Sequence, residues 1–354
     1  MRILVATDAW HPQVNGVVRT LTTMADAASA LGVDVSFLTP QSFATFALPS
    51  YPDLRLAFPG PARIARLIAE ARPDNIHIAT EGPIGLMVRR YCRKHHLPFT
   101  TSFHTRFPEY VSARSPIPES WVWSVLRRFH SASHAVMAAT PALADELRNR
   151  GFNNVVLWPR GVDAKLFQPR TIDLGLPRPV FLSVGRLAVE KNLEAFLDLD
   201  LPGTKVVVGD GPARAELERA YPNAVFLGAM HGERLAEAYA AADVFVFPSR
   251  TDTFGLVLLE ALASGVPVAA FPVCGPRDVI GDAPVGVLDE DLGAACLAAL
   301  KLSRDDCRAF ALGQTWDASA RALVENVAHV RHETLKGTKR RVHVQSTQTS
   351  LNAP

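Results

Sequence analysis

The 354-residue sequence carries almost no charge bias: 37 Lys and Arg stand against 35 Asp and Glu, a formal +2. That balance gives no reason to expect a nucleic-acid partner. Its four cysteines, Cys92, Cys274, Cys296 and Cys307, lie far apart and form no Cys-x-x-Cys pair. A disulfide framework and a zinc site of ordinary spacing are thereby excluded, and the thiols read as those of a reducing, cytosolic compartment. No run is long and apolar enough to span a bilayer, and no charged leader precedes the apolar run at Met1–Ala6. The missing signal sequence also counts against a secreted two-domain binding protein. A complete G-x-G-x-x-G is absent after the first strand, at residues 7–16, which argues against a dinucleotide oxidoreductase. No Asp-x-Asp stands at a strand end, so neither a metal nor any other cofactor is expected.

What is present is α/β patterning. The hydrophobic fraction of 48% and the length suit two domains, each with its own core. Short apolar runs alternate with amphipathic stretches, the pattern of βαβ units around parallel sheets. Strands are expected at Arg2–Thr7, Asp34–Leu38, Ile76–Ala79, Pro98–Ser102, His134–Ala138 and Val155–Leu157. Helices are expected at Val17–Leu31, Ala62–Ala71, Ile84–His95, Glu119–His130 and Pro141–Arg150. The Pro-rich, aperiodic stretch Asp163–Pro179 reads as a linker. A second alternation follows, with strands at Val180–Val184, Lys205–Val208, Ala224–Leu227, Val244–Phe247 and Pro267–Phe271. The resulting division is a first domain over 1–165, a second over 166–314 and a helix over 315–335 crossing back to the first. Residues 336–354 lack apolar patterning and read as a disordered tail.

The most informative segment runs from Phe247-Pro248-Ser249-Arg250-Thr251-Asp252-Thr253-Phe254-Gly255 to Gly265. A strand ends in a polar loop, and a Phe-Gly step opens a helix bearing Asp252 at its mouth and Glu260 in its second turn. The free amides and partial positive charge of a helix N-terminus suit a phosphate. The carboxylates suit sugar and ribose hydroxyls. Phosphate beside polyol describes a nucleotide-sugar, although a plain cap after a strand has the same local look. Arg186 and Lys191 follow the strand ending at Val184, with Gly185 permitting close approach, and two cations there neutralise a diphosphate. Gly209-Asp210-Gly211-Pro212 reads as a tight turn that starts a helix. Asn15-Gly16 in the first loop permits positive φ and amides aimed at a ligand. His104 sits at another strand end, and Arg160-Gly161-Val162-Asp163 at a third. Trp121, Trp123, Leu126 and Phe129 share a helix with Arg127 and Arg128, and Arg89, Arg90, Arg93 and Lys94 form a basic run. Most of these aromatics suit the core; the minority reading places part of the region on an anionic membrane.

Taken in order, these motifs resemble the retaining glycosyltransferases of family four, over essentially Met1 to Val330. Thr251–Gly255 and Phe103-His104-Thr105-Arg106-Phe107-Pro108 are most similar to the branch of α-mannosyltransferases and diacylglycerol-type lipid glycosyltransferases. The resemblance implies the GT-B fold, two Rossmann-like doubly wound domains facing across a cleft. It implies that Asp252 and Glu260 stand in place of a Glu-x7-Glu pair, with the first acid one carbon shorter. Asp252 then meets donor-sugar hydroxyls and Glu260 the ribose, while Arg186 and Lys191 hold the diphosphate. Phe254, Gly255 and Leu256 lie at the phosphates, Asn15 and Gly16 lie across the cleft, and His104 contacts the sugar. The implied reaction moves a hexose from a GDP- or UDP-sugar to a lipid or glycolipid, with retention and without a dedicated protein base. A soluble or polysaccharide acceptor is the alternative. A cytoplasmic enzyme, with peripheral contact to the inner face of an anionic membrane, is expected.

Overall fold

The computed structural model describes residues 1–11, 16–48, 51–112, 115–252 and 254–328. The chain divides into two compact units, one comprising Met1–Ala138, Ala144–Trp158 and the part from Ala320 onward, the other Ala139–Leu143 and Pro159–Ser319.

The first unit runs β1 (Arg2–Ala6), α1 (Gly16–Ser29), β2 (Asp34–Leu38), β3 (Thr45–Leu48), β4 (Tyr51–Ala57), α2 (Pro61–Ala71) and β5 (Asn75–Ile78). It continues with α3 (Pro83–Lys94), β6 (Phe99–Ser102), α4 (Phe107–Ser112), α5 (Glu119–His130), β7 (Val136–Ala138), α6 (Pro141–Asn149) and β8 (Val155–Leu157). Six strands form a parallel sheet in the order β2-β1-β5-β6-β7-β8, while β3 and β4 pair apart as an antiparallel hairpin. Alternation along each strand feeds two cores. Leu4 and Ala6 face Ile64, Ile68, Ile84 and Val88 of α2 and α3. Ile3 and Val5 face Leu21, Met24 and Ala28 of α1, and on this side Ala320, Leu323 and Val327 of a last helical segment, 316–328, are buried too.

The second unit contains β9 (Val180–Val184), α7 (Glu194–Leu197), β10 (Thr204–Val208), α8 (Arg214–Ala220), β11 (Val225–Gly228), α9 (Gly232–Ala241) and β12 (Val244–Phe247). It ends with α10 (Leu256–Ala263), β13 (Val268–Ala270), α11 (Cys274–Ile280), β14 (Gly286–Leu288), α12 (Leu292–Ala299) and α13 (Arg304–Leu312). The sheet order is β11-β10-β9-β12-β13-β14, all parallel. Its strands are covered on both faces, which explains why they read as continuous apolar runs. Val180, Leu182, Phe245 and Phe247 pack toward α9, α10 and α13, whereas Phe181, Val244 and Val246 pack toward α7 and α12.

The stretch read as a linker is irregular but anchored. Phe167 is buried against Tyr239, ring centroids 5.6 Å apart. Two arginines of α13 fix the surroundings. Arg308 donates to the carbonyls of Ala164 at 2.8 Å and of Phe167 and Ala263 at 2.7 Å. Arg304 donates to those of Ala242 and Ala240 at 2.7 and 3.2 Å, so one helix caps the C-terminal ends of both α9 and α10. The Arg160–Asp163 motif is tied to the segment after α13: Val162 N donates to Gln314 O at 3.0 Å, and Ser319 Oγ to Pro159 O at 2.7 Å. Arg160 is buried there, and burial brings its guanidinium down to about 9.

Candidate functional site

In an open parallel sheet, ligands bind beyond the strand C-termini where the strand order reverses. In the second sheet this point lies between β9 and β12, whose outgoing loops carry Arg186, Lys191 and Asp252. The structure joins two of the expected residues directly. The Lys191 ammonium donates to both carboxylate oxygens of Asp252, at 2.6 and 2.8 Å, although they stand 61 positions apart. Their side chains are 26% and 21% exposed, so the pair faces solvent and a ligand can reach it. Backbone ties hold the loops in register. Asn192, in the left-handed conformation at φ 53°, donates from Nδ2 to Pro248 O at 3.1 Å, and the hydroxyls of Ser249 and Thr251 donate to Glu190 O at 3.3 and 3.5 Å.

Gly185 lies on the β9 loop, where an added Cβ meets nothing within 4 Å, and Arg186 beside it is exposed. The Gly209–Pro212 turn supports this loop from behind. Leu187 N donates to Asp210 O at 2.9 Å, and Ala213 N to Leu187 O at 3.0 Å. A Cβ at Gly209, whose φ is 146°, would stand 1.8 Å from Gly185 O, so only glycine lets the two loops lie this close.

Beyond Asp252, helix α10 starts at Leu256 with Gly255 as its cap residue, at φ 86° and ψ 76°. A side chain there would meet Phe247 at 3.1 Å and Leu258 at 3.2 Å as well as an unfavourable φ. Phe254 is half-buried against the core below. Of the first-turn amides, that of Leu258 donates to the cap carbonyl of Gly255 at 3.0 Å, whereas an α-helix supplies no carbonyl of its own to the amides that open it, a position suited to an anion. Glu260, one turn on, is only 3% exposed, and the buried Tyr239 of α9 donates to its Oε2 at 3.0 Å. Sequence reasoning missed Tyr239. Its one signal is a polar atom on the buried, alanine-rich face of α9.

In the first unit the expected residues fare differently. Asn15 lies outside the described residues. Gly16 is the exposed first residue of α1. His104 follows β6, half-buried, its ring edge-on to Trp158 with centroids 5.7 Å apart. The order of the first sheet reverses between β1 and β5. There Asp8 accepts from the amides of Ile84 at 2.8 Å and Gly85 at 3.3 Å, at the N-terminus of α3, and from Thr80 Oγ1 at 3.0 Å. Burial, the largest influence, raises its carboxyl above the ordinary 3.8.

The basic run also needs correction. Arg89 does not face outward; it donates to the carbonyls of Phe129 and Arg128, both at 2.7 Å, and lies over the Phe129 ring. A run of four charges read as one face hides a member that caps α5. Trp123, Leu126 and Phe129 are core, as expected of most of these aromatics, but Trp121 is 69% exposed and Val125 exposed with it. Among the described residues, no group of His, Cys, Asp and Glu is arranged to hold a metal, and no helix is long and apolar enough to cross a membrane.

Comparisons with known proteins identify the family. Residues 14–166 match the model of Glycosyltransferase Family 4, and residues 178–305 that of Glycosyl transferases group 1. A GDP-mannose-dependent alpha-mannosyltransferase of Mycobacterium tuberculosis is 31% identical over 316 residues, covering 81% of this chain and 83% of that protein. A sulfoquinovosyl transferase of Arabidopsis thaliana is 34% identical over 257 residues; the match covers 67% of this chain but 50% of the plant protein. The fold is also that of sucrose-phosphate synthase from Thermosynechococcus elongatus, with a TM-score of 0.78 at 20% identity over 94% of this chain and 99% of that one. Two Rossmann-like sheets, two family models that match in succession and a relative matched along most of its length establish one conclusion: the chain belongs to glycosyltransferase family 4 and is a nucleotide-sugar-dependent hexosyltransferase.

Proposed function

We propose that this enzyme transfers mannose from GDP-mannose, with retention, to a lipid or glycolipid acceptor at an anionic membrane surface. The observation that carries the donor half is the stapled loop pair at the switch point of the second sheet, with Lys191 and Asp252 in contact. In this reading Arg186 and Lys191 neutralise the diphosphate, and Gly255 and Leu256 present the helix mouth to it. Asp252 meets sugar hydroxyls, and Glu260, steadied by Tyr239, meets the ribose. For Gly16 and His104 the assignment rests on the resemblance alone. The mannose and the guanine base are taken from the mycobacterial relative's name. Fixed positive groups that stabilise the departing diphosphate supply the electrostatic help a divalent ion otherwise gives. Transfer in excess EDTA is therefore expected to keep most of its rate; loss restored by magnesium or manganese would overturn that part.

The acceptor half rests on two stripes in the first unit. On α5, Trp121, Val125 and Arg128 recur at helical spacing and all are exposed. On α3, Leu86, Arg90 and Arg93 repeat the same i, i+4, i+7 spacing, again exposed. Both Arg93 and Arg128 lie near enough to Arg89 to add to the burial that lowers its pKa. Apolar side chains ringed by arginine suit shallow docking on anionic lipid.

Thermal shift with GDP, UDP and ADP tests the donor, since a ligand at 100 times its Kd adds about 2.7 kcal/mol of stability. GDP is expected to win; stabilisation by UDP alone would replace the base. The anomeric configuration of the product, read by NMR, tests retention. Flotation with anionic vesicles tests docking, with Arg93→Glu plus Arg128→Glu expected to abolish it. Arg89 is left intact because its loss would uncap α5. No flotation at any salt, with efficient transfer to a soluble sugar, would favour the soluble acceptor.

A further inference from the structure

The contact between Lys191 and Asp252 sets two proposed duties against each other. Lys191 is needed as a free cation by the diphosphate, yet both hydrogen bonds recorded for its ammonium end on Asp252. Asp252 is needed as an acceptor by the sugar, yet both its oxygens are engaged by the lysine. An ammonium has three N–H groups and a carboxylate about four acceptor positions, so neither is saturated, but the pair is neutral as it stands. A diphosphate approaching a neutralised lysine gains less than one approaching a free lysine. The loops themselves are held independently, through Asn192, Ser249 and Thr251. Parting the ions therefore takes only side-chain rotation, and their partial exposure keeps the cost of parting small.

We propose that Lys191 and Asp252 exchange partners in each turnover, and that the exchange discriminates donor from spent nucleotide. The inference rests on the assignment of Lys191 to the diphosphate given above. When the nucleotide-sugar binds, Lys191 moves to the diphosphate, and sugar hydroxyls replace it on Asp252. When the sugar has left, the nucleoside diphosphate holds Lys191 but leaves the carboxylate without its hydroxyl donors. Asp252 then reclaims the lysine and weakens the grip on the product. Asp252 thus acts on the diphosphate as a positioning residue, through Lys191, besides touching the sugar.

Calorimetric titration of GDP, UDP and GDP-mannose into the wild type, Asp252→Asn, Lys191→Ala and the double variant tests this, using whichever diphosphate the wild type binds. Asp252→Asn is expected to bind the nucleoside diphosphate about fivefold tighter, equivalent to about 1 kcal/mol, and the nucleotide-sugar more weakly. Product inhibition should tighten in parallel. In the Lys191→Ala background the same substitution should tighten diphosphate binding by much less. Equal gains in both backgrounds would mean plain repulsion between Asp252 and phosphate, and would overturn the exchange. So would unchanged or weaker diphosphate binding in Asp252→Asn. Wild-type diphosphate affinity in Lys191→Ala would instead remove the underlying assignment of the lysine. Asp252→Ser provides the same readings should the Asn variant fail to fold, as judged by its melting transition.

Discussion

The two sheets place an acid at the same topological position and use it in opposite ways. Where the first sheet's order reverses, Asp8 turns inward and binds the opening amides of α3, so a carboxylate of the chain itself fills that helix mouth. Where the second sheet's order reverses, Asp252 turns to Lys191 instead, and the cap residue of α10 is a glycine with no side chain to offer. Both helices follow a strand and both have glycine at the cap, Gly82 and Gly255. The difference lies in where the nearby acid is held. A built-in anion excludes an external one by charge and by occupancy, so of these two helix mouths it is that of α10 to which the proposed function assigns a phosphate.

The largest effect expected from breaking this contrast is at Lys191. Removing one electrostatic stabiliser of a leaving group costs roughly 2.7–4 kcal/mol in the transition state. Lys191→Ala should therefore lose about a hundredfold or more in turnover at an unchanged melting temperature, and wild-type turnover would make the lysine an ordinary surface charge. Next comes Gly255→Ala, which puts a side chain into the α10 mouth at positive φ. A stability loss of about 1–2 kcal/mol is expected from the backbone alone, together with weaker donor binding in the same titration. A variant as stable as the wild type would mean that this turn relaxes freely.

Asp8→Ala comes third. Loss of a helix cap costs about 1 kcal/mol in a urea melt, with donor affinity expected to be untouched because the proposed nucleotide site lies in the other unit. Acidification gives a second reading. Since burial raises the Asp8 carboxyl, the folded chain holds a proton that the unfolded chain has released in the window just above pH 3.8. This group's contribution to stability therefore falls as pH rises through that window and returns as pH is lowered. Asp8→Asn should remove that slope, and a pH profile identical to the wild type would contradict the burial argument. The smallest effect belongs to Gly16, the first residue of α1, which has open space around it. Gly16→Ala should stabilise by about 0.4–1 kcal/mol, the opposite sign to Gly255→Ala.

The fold was legible where periodicity is long and punctuated. β2, α5, β8, β9 and β12 fall on the expected residues, because apolar runs between Gly, Pro and polar turns admit one reading. The β3–β4 hairpin was missed because it pairs outside the main sheet and carries Pro52 and Asp53, residues that strands disfavour. Helices α11 to α13 were not read either; Gly275 and Pro276 near the start of α11 look like a turn, although proline is tolerated in a first helical turn. At the site, residue types at strand ends could be read singly, whereas their pairings could not. Nothing in a linear sequence says that Lys191 rests on Asp252, that Tyr239 reaches Glu260, or that Arg89 turns back to carbonyls 39 and 40 positions away.

The two arginines of α13 have a consequence for how the second unit opens. Arg304 holds the end of α9 and Arg308 the end of α10, so the helices bearing Tyr239 and Glu260 are clasped by a segment that follows both in the chain. Neither helix can fray from its C-terminus without first releasing α13. Their amide protons therefore exchange with solvent in a shared opening event rather than turn by turn, and nascent chain leaving the ribosome has no completed clasp around the Tyr239 and Glu260 helices until Arg308 has emerged.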